Sequence, residues 1–144
     1  MKTNNPIFTT LVTFCSLLPA SGAVFAHHSF TAEFDAKQPV TLDGTVVKVE
    51  WTNPHVWVYI NVMDEKTGDV SNWGIEMGAP SLLSRQGWRS DSLYIGQEVT
   101  VNGYRSRSGL PRVSARHVTL TATGKSPAKT LDAGSSIKQQ DKKQ

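Results

Sequence analysis

The chain has 144 residues, 15 Lys/Arg against 12 Asp/Glu, and one cysteine. That length holds one ordinary domain, and Cys15 alone excludes a disulfide framework or a paired-cysteine metal site. The basic balance also misleads about nucleic acid: residues 27–120 carry nine Lys/Arg and ten Asp/Glu, and the excess lies in residues 121–144, with five lysines and two aspartates. Phosphate binding needs cations clustered on a folded surface, so no nucleic-acid partner is expected.

The chain starts with Lys2, an apolar run from Ile7 to Leu18, and small residues up to Ala26. The run is too short to span a bilayer, and the order is that of a secretory signal peptide over residues 1–26. The expected location is therefore periplasmic or secreted. Cleavage after Ala26 leaves His27-His28 at the mature start; cleavage after Ala23 is the competing site and would leave Val24 there. Phe14 before Cys15 does not fit a lipoprotein box. Residues 27–39 have no strong period and read as an N-terminal arm.

Val40 to Trp51 is β-branched and alternating, with Gly44 placed for a bulge or sharp bend. After Asn53-Pro54, the run from His55 to Val62 alternates strictly. Val56, Val58, Ile60 and Val62 face one way, and His55, Trp57, Tyr59 and Asn61 the other. Residues 64–69 (DEKTGD) are turn chemistry, so Val70 to Met77 pairs back as a hairpin. Pro80 to Gln86 predicts a short helix, with Pro80 in its first turn and Gly87 as its stop. Val99 to Arg105 and Arg112 to Leu120 are the fourth and fifth strands, the last with a bulge near Arg116-His117. Residues 121–144, poor in apolar side chains and free of aromatics, read as a disordered basic tail.

Three strands, one short helix and two strands is the order of a mainly β, five-stranded OB-like barrel spanning residues 27–120. Such barrels bind ligands across strands two and three and the neighbouring loops. A simpler antiparallel sheet with one covering helix has the same order.

Histidine is the commonest metal ligand, and His27, His28, His55 and His117 all follow the cleavage site. An N-terminal histidine offers its α-amine and ring together, and a second imidazole completes a nitrogen set that favours copper. His55 is the best internal partner, with Glu76 and Met77 beside it if the hairpin register allows. The plainer alternative is that these histidines are solvated and His55 is a strand-end hydrogen-bonder.

The aromatic residues Trp51, Trp57, Tyr59, Trp73, Trp88 and Tyr104 form the second signal. Trp57 and Tyr59, with Trp88 and Arg85, are candidates for ligand binding. The favoured alternative is that the N-terminal arm or the helix covers Trp57 and Tyr59 in a second small core, the arm offering Phe30 and Phe34 to pack there. The carboxylates Glu33, Asp35, Glu50 and Glu76 have no spacing that forces an acid–base pair, and neither G-x-S-x-G nor H-E-x-x-H occurs. Nothing demands catalysis.

The segments AHHSFTAEFD, GTVVKVEWTNPHVWVYINV, WGIEMGAPSLLSRQGW and LYIGQEVTVNGYRSRSG together resemble a family of small exported bacterial proteins known only as a domain of unknown function. The resemblance covers roughly residues 26–120 and implies export to the periplasm and a single compact domain. Its recurring phrases hold His27, His28, His55, Glu76 and Trp88, and it supplies no activity. The expected function is an exported binding module taking copper through the mature N-terminal histidine. The alternative is a metal-free module that binds an unidentified protein or small ligand on exposed aromatics. A monomer that does not span the membrane is the expected state.

Overall fold

The computed structural model describes residues 30–122 and 127–134. They form a mainly β protein of six strands in one sheet with two short helices: α1 (Phe30–Glu33), β1 (Phe34–Glu50), β2 (Trp57–Met63), β3 (Val70–Glu76), α2 (Pro80–Arg85), β4 (Glu98–Ser106), β5 (Arg112–Leu120) and β6 (Lys129–Asp132). The sheet order is β3-β2-β1-β4-β5-β6. Neighbours in it are antiparallel, and β3 also pairs in parallel with the start of β5. Among the described residues no helix is long and apolar enough to cross a membrane.

β1 is longer than its periodicity indicated, because it serves two partners in succession. Residues 39–45 pair with β4 and residues 45–50 with β2. At the handover Gly44 is needed for space: a Cβ there would lie 2.6 Å from the carbonyl oxygen of Asn61. The register shift in β1 lies between Val46 and Lys48 and not at Gly44, so this glycine permits close approach and does not itself bulge. The bulge in β5 falls where expected. Asn102 faces His117 and Gly103 faces Ala115, which leaves Arg116 as the extra, exposed residue.

The aliphatic stripe of β2 is the core face. Val56, Val58 and Ile60 are buried together with Ile75 of β3, Met77 just after it, Leu83 of α2, and Val101, Val113 and Val118. The turn into β3 is closed by Asp64, whose carboxylate accepts from the backbone N–H groups of Lys66 and Thr67. Gly68 there takes a left-handed φ of 78°.

Two expectations are corrected. The sheet has six strands and not five, and residues 129–132 form β6 inside the segment expected to be a disordered tail. β5 leaves β3 after Ser114 and offers that free edge to β6 from His117 to Leu120. Leu131 and Ala133 then bury their side chains, and the indole Nε1 of Trp88 donates to the Asp132 carbonyl at 2.8 Å. The averaged polarity of residues 121–144 conceals this short apolar pair.

Candidate functional site

The alternation of β2 sends His55, Trp57 and Tyr59 to the outer face while Val56, Val58 and Ile60 point inward. The β2–β3 ladder sets Trp57 opposite Glu76, Tyr59 opposite Gly74 and Asn61 opposite Asn72. It continues past the strand ends, where Val56 accepts from the Met77 N–H and donates to the Gly78 carbonyl. Directly opposed residues share a face, so Glu76 comes out beside His55 and Trp57, and Met77 turns into the core.

His55 follows a cis Asn53–Pro54 bond and pairs through Nδ1 with a carboxylate oxygen of Glu76. The Glu76 side chain is 11 % exposed and that of His55 39 %, so the carboxylate is sunk while the ring stays open to solvent. Burial pushes the Glu76 carboxyl above its ordinary value. The charge and hydrogen bond of His55 pull it back down, Glu33 adds to the rise, and Arg112 opposes it.

Glu33 is the last residue of α1. α1 is tied down by Arg107, whose backbone N–H donates to the Glu33 carbonyl and whose Nε donates to the carbonyls of Thr31 and Phe34. Phe30 stacks on Phe34 with ring centroids 5.6 Å apart and meets Tyr104 edge-on. The two phenylalanines expected to cover Trp57 and Tyr59 therefore pack against each other and Tyr104. The outer face of β2 keeps a groove.

This groove encloses about 340 Å³ between Trp57, Tyr59, Asn72 and Gly74 on one side and Leu110, Pro111 and Arg112 on the other. Gly74 is its floor: a Cβ there would touch two Trp57 ring carbons at 3.4 and 3.7 Å. The Arg112 guanidinium stands over the Trp57 ring, 5.7 Å from its centroid. Tyr59 donates its hydroxyl to Glu50 and lies under the Lys48 ammonium, which is itself paired with Glu50.

The predicted site residues thus separate. His55 and Glu76 meet, and Trp57 and Tyr59 line the groove beside them. Met77, 2 % exposed, belongs to the core and is no ligand beside His55. Trp88, 1 % exposed with its N–H spent on Asp132, is also core and has no ring face to offer a ligand. Arg85 is exposed in the last turn of α2 and does not line the groove. His27 and His28 lie outside the described residues. Among those described, no group of three or more His, Cys, Asp or Glu side chains is placed to hold a metal. Sequence reasoning missed Arg112, Leu110, Pro111 and Asn72. The available signal was the loop Ser106–Pro111, which occupies the β4–β5 position where small barrels carry part of their binding surface.

No curated protein and no solved structure matches the chain. The model of a family of unknown function, DUF6152, matches residues 16–114, more than half of the sequence, and the chain belongs to that family.

Proposed function

We propose that this protein is an exported binding module on an OB-type barrel, and that it holds a single copper ion at the end of the barrel where His55 meets Glu76. The parallel β3–β5 pairing supports the barrel reading, since it returns the strand order 1-2-3-5-4 to its start. The observation that carries the copper reading is the His55–Glu76 pair. A histidine that ligates a metal commonly gives its other ring nitrogen to a carboxylate, which sets the tautomer and aims the ring. With Nδ1 held by the sunken Glu76 carboxylate, Nε2 is the nitrogen left for a ligand. Glu76 thereby becomes a positioning residue in place of a ligand.

The other nitrogens come from His27 once the signal peptide is cut after Ala26: its α-amine and ring bind together, with His28 as the competing imidazole. From Phe30 back to His27 the chain has a reach of up to ~10 Å. The charge of Glu33, at the end of the helix that Phe30 opens, helps to raise the Glu76 carboxyl. Copper is favoured because a nitrogen-rich, tetragonal set suits it and it tops the divalent affinity order.

Natively exported protein, its first residue fixed by intact mass, tests this by calorimetric and EPR titration with Cu²⁺. One site with nitrogen hyperfine structure is expected, weakened at least about tenfold by His55→Ala and by one residue added before His27. A mature start at Val24, or a His55→Ala protein that binds as tightly as the parent, overturns the reading.

A further inference from the structure

We propose that the groove between Trp57, Tyr59 and the Leu110–Arg112 segment is a second binding site, which takes a small aromatic carboxylate. This goes beyond the copper reading and requires no metal.

The groove has a particular chemical inventory. Its apolar surface is one indole face resting on Gly74, the Tyr59 ring, and the side chains of Leu110 and Pro111. Leu110 is half exposed. The polar side chains of the β2–β3 wall are largely spent: the Tyr59 hydroxyl donates to Glu50, and the Asn72 amide nitrogen donates to Asn61 at 3.0 Å. A sugar, which needs many hydrogen bonds, finds few partners in such a slot. A flat apolar ring finds several surfaces, since rings stack offset or edge-on against other rings.

Charge then decides which ring. Arg112 forms no ion pair among the described residues, and its guanidinium rests on Trp57 at the groove wall. The other cation near these rings, Lys48, is neutralised by Glu50 at 2.6 Å. A guanidinium offers a planar fork that matches a carboxylate in two parallel hydrogen bonds. The Glu76 carboxyl feels the charge of Arg112 but is paired with His55. A volume of about 340 Å³ is at the small end of ligand pockets, sized for one ring and its acid group.

The test uses the mature full-length protein, freed of metal with EDTA, and follows the Trp57 indole N–H resonance by NMR. The probes are benzoate, 4-hydroxybenzoate, benzamide, cyclohexanecarboxylate and glucuronate, each titrated to about 10 mM. Benzoate and 4-hydroxybenzoate should saturate and shift Trp57, with the neutral, non-aromatic and sugar probes at least tenfold weaker. Arg112→Gln, at an exposed position, should keep the parent's melting temperature within a few degrees and lose at least tenfold in benzoate affinity. Trp57→Leu and Trp57→Phe lack that resonance and are followed by the backbone amide shifts of Tyr59 and Gly74. Trp57→Leu should lose at least tenfold in benzoate affinity and Trp57→Phe less, and Trp57→Phe serves as the ring variant if Trp57→Leu fails to fold. Benzamide binding as tightly as benzoate, an unaffected Arg112→Gln, or no saturation by either aromatic acid overturns the proposal. Preferential binding of glucuronate also overturns it and makes the site one for acidic sugars. A His55→Ala protein that still binds benzoate keeps this site separate from the copper reading, whichever way that reading falls.

Discussion

Burial and its pairing with His55 alter the chemistry of Glu76. Its carboxyl is held above the ordinary 4.5 chiefly by burial. The folded protein therefore binds this proton more tightly than the unfolded chain does, and stability attributable to Glu76 falls as pH rises from about 4.5 through the raised value. Above that value the cost of an ionised, sunken carboxylate is constant. Glu76→Gln should remove this component, so the difference between the parent and variant curves of melting temperature against pH should slope downward with pH and then level. A flat difference would mean that Glu76 is effectively solvated. His55→Ala leaves the carboxylate without its partner and should cost about 1–3 kcal/mol at neutral pH by urea unfolding. In Glu76→Gln the same change should cost less, because a neutral amide tolerates burial better than an ion. The pairing of His55 with Glu76 was foreseen only as one outcome of the register. Met77 was equally available on that reading, and a one-residue slip exchanges the two faces.

At the scale of elements, the strands were readable wherever one face is buried. β2 alternates so strictly that its inward and outward sets were assigned correctly from sequence, and β5 has its expected bounds. The start of β1 is not legible in the sequence: Phe34 to Gln38 alternate poorly, and only Phe34 among them has a ladder partner in β4, with Arg107 holding Phe34 and Asp35. Gly44 is a firm test of the partner change in β1. Gly44→Ala places a methyl 2.6 Å from a backbone oxygen and should destabilise by about 1–3 kcal/mol, read from denaturant midpoints. An unchanged midpoint would show that β1 and β2 separate there without cost. β6 is held by four ladder pairs, Leu131 and the Trp88 indole. Trp88→Phe keeps a ring in the core but removes the donor to Asp132. Hydrogen exchange of residues 129–133 should accelerate about tenfold while β2 and β3 stay protected, in line with a lost hydrogen bond of ~1 kcal/mol.

In the whole molecule, one sheet supports two chemically distinct places on its outer face, the His55–Glu76 corner and the Trp57 groove. β6 serves the opposite end of β5. The segment between β4 and β5 touches both α1 and the groove: Arg107 anchors α1, and Leu110, Pro111 and Arg112 wall the groove. A chain shortened to end at residue 122 should still contain β1 to β5 but expose Trp88 and the β5 edge. Leucine burial alone is worth about 1.5–3 kcal/mol, so its thermal midpoint should fall by several degrees. An unchanged midpoint would make β6 an appendage with no part in the core.

By itself the sequence determined the mainly β character, the inward and outward faces of β2, the hairpin to β3, and the short helix that begins at Pro80. These follow from period and turn chemistry, which are properties of neighbouring residues. Only the tertiary structure decided that Glu76 and not Met77 meets His55, that Phe30 packs on Phe34 and Tyr104, that Trp88 is spent on Asp132, and that Arg112 lies on Trp57. Each of these is a contact between residues far apart in the chain or a consequence of register. Strand order and ladder phase set such contacts, and no local pattern encodes either.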